Sequence, residues 1–320
     1  MQVVLTSDAE AVALEKERKL TDWLRAQGSL MLGFSGGVDS AYLGCLAVDV
    51  MGPERVLAVI GRSASYPAEQ WEMAKRVAGE FGLSVLEIDT DEMNDPRYAA
   101  NPSNRCYFCK AELWGKLRAV AAEQGIATIA DGTNADDLFD YRPGMQAGRE
   151  HGVRSPLAEL GFTKAEIRLL SRRRGIPTWS QPSSPCLSSR LPQGFAVTPA
   201  RLRQVEVAER TLRELGITGD LRVRHQGNVG RVEIARDELQ RWLAPDNLHR
   251  VENAVLAAGF KRVEIDPEGY GYRGAGGGRR EASDGNRDSE GNSKSPTPVS
   301  RPAPPTSRLP PSAVARLSRD

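Results

Sequence analysis

Residues 30–51 read LMLGFSGGVDSAYLGCLAVDVM: a short apolar run, a glycine turn, and an apolar stretch of helical length. A run such as 30–34 that stops at a turn signal is expected to be a buried strand, and 41–51 a buried helix. Between them lie Ser35, Gly36, Gly37, Val38, Asp39 and Ser40. A Gly-rich turn that ends a strand and opens a helix aims backbone N–H groups at an anion. Its two glycines let the backbone approach phosphate oxygens, Ser35 and Ser40 add hydroxyl donors, and Asp39 can hold Mg²⁺ on the phosphates or orient the loop. The turn carries no lysine of the Walker kind.

Working outward, the same cycle recurs. Strands are expected at 56–60, 84–88 and 127–130, and helices at 67–81 and 111–124. Upstream, Leu14, Leu20, Trp23 and Leu24 recur at helical spacing in a charged segment, 8–27, which reads as an entry helix. Such alternation predicts an α/β fold with a parallel sheet and helices on both faces. The pattern loosens over 131–152, regains a helix at 164–174 that ends at Gly175 and Pro177, and becomes a loop over 182–194. A second, smaller α+β unit follows: a helix over 198–215, strands at 221–225 and 229–235, a helix ending near 258, and a strand at 262–265. Beyond residue 273 the composition turns to Gly, Ser, Pro and Arg with few aliphatics, a segment expected to be disordered because it has too little apolar surface to offset its ordering entropy. The expected organisation is an N-terminal helix (1–28), an α/β nucleotide domain carrying the cysteines (29–195), a small α+β domain (196–273) and a tail (274–320).

The 320 residues are 40% hydrophobic and 27% charged, which points to soluble globular domains. A net charge of +1 gives no general attraction to nucleic acid, although Arg172, Arg173 and Arg174 make a local basic patch, and no nucleic-acid partner is expected. No apolar run approaches the roughly 18 residues that span a bilayer, and the first thirty residues do not read as a secretory leader. A cytoplasmic enzyme with no membrane partner is the expectation. Four cysteines in such a compartment are expected to be reduced, so those that cluster point to metal or thiol chemistry.

SGGVDS resembles the PP-loop of the N-type ATP pyrophosphatases, whose domain is the adenine nucleotide alpha hydrolase-like fold. The resemblance implies cleavage of ATP between its α- and β-phosphates, giving an adenylated substrate and pyrophosphate. Asp131, Gly132, Thr133 and Asn134, at the end of a later strand, resemble the second nucleotide loop of that superfamily. The carboxyl ends of parallel strands are where ligands gather. Arg62 and Ser63, past the second strand, read equally as nucleotide neighbours or as ordinary loop residues.

Cys106 and Cys109 form a C-x-x-C pair in NPSNRCYFCKAEL, placed just before the expected helix, and Cys186 lies in SSPCLSSRLPQG. Cys45, in an apolar helix, reads as a buried inert thiol. For the other three, core packing, zinc, a redox pair and an iron–sulfur cluster compete. Zinc wants a fourth ligand, and none of His151, His225 and His249 is well placed for it. Three thiolates suit a [4Fe-4S] cluster with one open iron.

SGGVDS, then DGTNADD with DYRPG, then the segment from Cys186 to Arg190, in this order, resemble the LarE family, whose members make a pyridinium-3,5-bisthiocarboxylic acid mononucleotide. The resemblance spans residues 20–273. It implies adenylation of a pyridinium carboxylate of a small mononucleotide substrate, followed by sulfur transfer. Some members of the family sacrifice the sulfur of one cysteine, at the position of Cys186. Others carry three cysteines and a cluster, and Cys106 and Cys109 place this sequence with them, the sulfur then coming from sulfide or another donor. By the same resemblance Arg222 and Arg224, which alternate along one strand, bind the mononucleotide phosphate, although solvent-exposed strand arginines would look the same. Arg142, Arg149 and Arg190 are further anion-binding candidates. Glu209 and Glu233 match acidic positions tied to a metal at a subunit interface, and a homo-oligomer is expected.

Three rival readings are weighed against this one. A tRNA thiolase would share the loop and the cysteines but should carry a basic RNA-binding module. An amide-forming ligase of the NAD synthetase kind needs no cysteine cluster. A non-enzymatic ATP-binding module leaves the cysteines unexplained.

Overall fold

The computed structural model describes residues 7–139, 142–182 and 184–270. The expected tail (274–320) and Asp140 and Tyr141 of the DYRPG segment lie outside the described residues.

The first part runs α1 (Ser7–Arg25), β1 (Leu30–Gly33), α2 (Val38–Met51), β2 (Val56–Arg62), α3 (Ala68–Glu80), β3 (Ser84–Asp89), α4 (Pro96–Ala99), α5 (Arg105–Gln124), β4 (Thr128–Ala130), α6 (Pro143–Glu150), α7 (Pro156–Glu159) and α8 (Lys164–Arg173). The four strands form a parallel sheet in the order β3-β2-β1-β4. Because β2 and β3 step out to one side of β1 and β4 lies on the other, the crevice at the carboxyl ends of β1 and β4 is the switch point where an open α/β sheet takes its ligand. The central strands β1 and β2 are apolar on both faces, as helices on both sides require. Leu30 and Leu32 join the core with α1, α2, α3 and α8, while Met31, between them, joins Trp114 and Leu117 of α5 and Ala147 of α6.

The second part, α9 (Pro199–Glu214), β5 (Leu221–Gln226), β6 (Val229–Ile234), α10 (Arg236–Trp242), α11 (Pro245–Ala257) and β7 (Arg262–Ile265), has its own three-stranded sheet, β5-β6-β7. Strands β5 and β6 are antiparallel and β6 and β7 parallel. Leu221, Val223, Val232 and Ile234 face a core with Leu202, Val205, Trp242 and Val255. Alternate residues of β5, Arg222 and Arg224, therefore point to the other face.

Two expected boundaries move. Helix α5 begins at Arg105, so Cys106 and Cys109 stand in its first two turns and not in a loop ahead of it. The helix expected to end near 258 is two, broken where Pro245, which lacks an N–H, starts α11 at its first position. No helix among the described residues is long and apolar enough to cross a membrane.

Candidate functional site

Between β1 and α2 the glycine turn is held open by neighbours. Gly36 has φ +65°, and a Cβ there would stand 2.6 Å from Cα of Ala74, so only glycine fits. The carbonyl of Ser35 accepts from the Tyr66 hydroxyl and from Nε2 of Gln70, each at 2.9 Å. The hydroxyls of Ser35 and Ser40 lie 3.1 Å apart, and Oγ of Ser40 donates to the Gly37 carbonyl at 3.2 Å. Val38 is buried, anchoring the start of α2. The first turn of this helix presents N–H groups with no partner inside the helix, which is the donor set a triphosphate needs.

The loop after β4 closes over that turn. A Cβ on Gly132 would come within 2.8 Å of the Ser40 nitrogen, so the two backbones touch. Asp131 is committed to the loop itself, accepting from Thr133 N at 3.0 Å and from its hydroxyl at 2.9 Å, and from the Ser155 hydroxyl at 2.8 Å. Buried Asn134 donates to Asp39 Oδ1 at 3.3 Å, and Lys164, the first residue of α8, puts Nζ 2.5 Å from Asp39 Oδ2. Arg142 pairs with Asp137 at 2.8 Å on the same loop, and Arg149 is exposed at the end of α6. Arg62 turns to Glu87 at 3.4 Å and over the Trp71 ring at 5.5 Å. The Ser63 hydroxyl meets that of Ser65 at 2.8 Å.

Cys186 precedes a short 3₁₀ turn, Leu187–Arg190, and three arginines grip carbonyls of the segment from Pro185 to Ser189. Arg190 donates to the carbonyls of Pro185 (2.6 Å) and Cys186 (3.2 Å), Arg105 to that of Ser188 (2.9 Å), and Arg224 to that of Ser189 (3.1 Å). Buried Arg190 also pairs with both carboxylate oxygens of Glu209 at 3.0 Å, and Arg224 pairs with Glu233 at 2.9 Å. Arg222 is buried, donates to the Leu221 carbonyl at 2.6 Å and lies 5.1 Å over the Tyr270 ring. Burial, with the like charge of Arg190, holds its pKa below the usual arginine value.

The three cysteines share one neighbourhood, within reach of one another's charge. Nη2 of Arg105 donates to Cys186 Sγ at 3.9 Å, and Cys106 is the next residue of α5. Burial, then the nearby Glu92 carboxylate, then the other two cysteines push the Cys109 thiol well up. Among the described residues no three His, Cys, Asp or Glu side chains are drawn close enough to hold a metal ion, so the cysteines are neighbours and not a closed ligand set. Cys45 is buried elsewhere, in α2, and burial pushes its thiol up to about 12, as expected of an inert core thiol.

One segment joins the phosphate loop to the cysteine turn. Ser65 accepts Leu187 N on its carbonyl at 2.8 Å, while the next residue, Tyr66, holds Ser35. Arg105, Lys164, Ser65 and Tyr66 escape a reading of the sequence by motif. Only Arg105 carries a signal there, as the residue directly before C-x-x-C.

The NAD synthase family profile matches residues 16–123, which covers the phosphate loop and the sheet through α5. A pyridinium-3,5-bisthiocarboxylic acid mononucleotide synthase of Lactiplantibacillus plantarum is 32% identical over 260 residues, spanning 81% of this chain and 93% of that protein. The chain belongs to the LarE family. As a LarE-family protein with this loop it is an ATP-dependent enzyme, and ATP with Mg²⁺ is the implied nucleotide. An uncharacterized protein of Synechocystis sp. is 41% identical over 257 residues, 79% of this chain and 95% of that protein. Another from Methanocaldococcus jannaschii is 27% identical over 264 residues, 81% and 98% respectively. The LarE-family likeness thus runs through both sheets, whereas the NAD synthase profile stops before Cys186.

Proposed function

We propose that this LarE-family enzyme adenylates a carboxylate of pyridinium-3,5-biscarboxylic acid mononucleotide and converts it to a thiocarboxylate, in the synthesis of the nickel-pincer nucleotide. The observation that carries the reading is the Ser65–Tyr66 junction: adjacent residues hold the cysteine turn and the phosphate loop, so a carboxylate activated on one is presented to the other. The family relationship supports the substrate class.

In this reading Ser35 to Ser40 bind the triphosphate through backbone N–H groups and hydroxyls, and Asp131 to Asn134 close the nucleotide side, with Arg62 at its margin. Asp39 stands ready to hold Mg²⁺ on the phosphates. The substrate carboxylate attacks the α-phosphorus and pyrophosphate leaves. A hydrosulfide sulfur then attacks the acyl carbon: the C–S bond forms, the C–O bond to AMP breaks, AMP carries away the electron pair, and the S–H proton passes to water. AMP is a good leaving group because its phosphate is a weak base.

Arg222 and Arg224 take the mononucleotide phosphate, with Arg142 and Arg149 as further anion contacts, while Arg190 keeps the Cys186 turn in place. Cys106, Cys109 and Cys186 hold a [4Fe-4S] cluster, which would supply an open iron position for the incoming sulfur. Their shared neighbourhood suits this, provided the exposed Cys106 side chain turns inward. The fold divides at 195/196, the small sheet bringing Arg222 and Arg224 to the cysteine turn, and the enzyme works as a homo-oligomer in the cytoplasm.

Anaerobic purification with iron and sulfide analysis, and protein mass before and after turnover, tests this. The expected result is about four irons per chain and an unchanged polypeptide mass. A chain without iron that loses one sulfur atom at Cys186 per turnover would replace the cluster with a consumed cysteine. No sulfur incorporation at all would end the sulfur-transferase reading.

A further inference from the structure

Arg105 stands apart from the other arginines of the site. Arg190 and Arg224 each face a carboxylate, Glu209 and Glu233. The partners of Arg105 are instead an amide oxygen, a carbonyl and sulfur: Asn101 Oδ1 at 2.5 Å and Ser188 O at 2.9 Å, both on Nη1, and Cys186 Sγ at 3.9 Å on Nη2. Among the described contacts no carboxylate neutralises it.

The side chain is also fixed in orientation. A guanidinium is planar, so two acceptors on Nη1 set the direction of the Nη2 edge. Asn101 is itself locked. It is buried, adopts φ +55°, and its amide donates to the carbonyls of Pro192 at 2.6 Å and Phe195 at 3.1 Å. Asparagine tolerates this left-handed backbone better than most residues. The result is a preorganised cation with one donor edge open toward Cys186, beside the exposed Cys106.

We propose that Arg105 forms an anion-recruiting site at the Cys186 turn, drawing in a small monovalent sulfur anion of the hydrosulfide class and guiding it to the cysteines, where the sulfur-transfer reading places the nucleophile. Its use in catalysis rests on the sulfur-transfer reading above, and the site itself rests on the geometry. Arg105 is a binding and positioning residue that leaves the adenylation half-reaction alone, because its contacts lie at the cysteine turn and not at Ser35 to Ser40.

The test is a sulfide titration of thiocarboxylate formation by the full-length enzyme, with pyrophosphate release followed in parallel. Arg105→Gln should raise the KM for sulfide by about tenfold or more with pyrophosphate release unchanged, and Arg105→Lys should recover part of that loss. In the unaltered enzyme bromide, a monovalent anion of similar size and a poor ligand for iron, should compete with sulfide. An unchanged KM in Arg105→Gln, or sulfide use and pyrophosphate release falling together, overturns the proposal. Should that variant fail to fold, absence of bromide competition in the unaltered enzyme overturns it equally.

Product formation with no dependence on sulfide would instead sink the sulfur-donor reading, and the charge site is then judged on its own. In that iron-free protein Cys186 should react faster with iodoacetate than with iodoacetamide, relative to a free cysteine peptide. The same ionised sulfur attacks both reagents and displaces iodide from each, so their ratio reads the local field and not the degree of ionisation. A ratio equal to that of the peptide overturns the anion site.

Discussion

Lys164 Nζ lies 2.5 Å from Asp39 Oδ2, joining the first residue of α8 to the phosphate turn across 125 residues of chain. The turn lacks a cation of its own, and this contact supplies one. Lys164→Ala is expected to raise the KM for ATP at least about tenfold, since a charge-assisted contact to phosphate is lost and Asp39 is left to repel the triphosphate. Asp39→Ala should abolish pyrophosphate release while iron content stays the same. Steady-state kinetics with ATP as the varied substrate, with metal analysis, check both.

Gly132→Ala tests the contact between the two nucleotide loops. The added methyl meets the Ser40 nitrogen at 2.8 Å and the Asp39 carbonyl carbon at 3.1 Å, both backbone atoms that cannot swing away. Overpacking of this kind costs about 1–3 kcal/mol and should appear as weaker ATP binding, with the fold of the second sheet intact. Calorimetric titration with ATP and a thermal melt would report it. Unchanged affinity would mean that the loops are farther apart in solution.

The Arg190–Glu209 pair is buried, bidentate and tied to the Cys186 turn. Arg190→Ala leaves a largely buried carboxylate without its cation, and breaking such a pair costs about 3–5 kcal/mol. Removing both charges in Arg190→Met with Glu209→Gln should cost less than Arg190→Ala alone. Denaturant melts of the three variants decide this, and additive losses would show that the pair is not coupled.

His225 sits between the rings of Phe195 and Phe260, with Nε2 3.1 Å from Oε1 of Gln204. Burial, then the charge of Arg201, lowers its pKa below the ordinary value of 6.5. A folded-state pKa below that of the unfolded chain means the unfolded state takes up the proton first as the solution is acidified. Its contribution to stability is therefore complete above pH 6.5 and is lost as pH falls from there through the lower folded-state value. His225→Gln should flatten the fall in melting temperature between about pH 7 and 5. An unchanged slope would assign that acid sensitivity to other groups.

The strand, glycine turn and helix at 30–51 were legible because each is decided by residues next to one another. So were the parallel sheet and the small second sheet. The start of α5 was missed because Asn104, at its N-cap, makes no side-chain capping bond, so the apolar pattern further on seemed to mark the beginning. The carboxylates opposite Arg190 and Arg224, Glu209 and Glu233, are invisible in the sequence until strands and helices pack. Lys164 and Ser65 were silent for the same reason: an ordinary residue acquires a role from a neighbour far along the chain.

Strand β5 is an edge of its sheet, and its Val223 N–H is met by Glu209 at 2.9 Å. That same carboxylate oxygen anchors Arg190, and through it the turn that bears Cys186. An uncovered strand edge is a template on which another chain can add a strand. The cysteine turn and the edge of the small sheet are thereby fastened at one atom: a change that pulls Glu209 away from Arg190 also loosens the guard on the β5 edge.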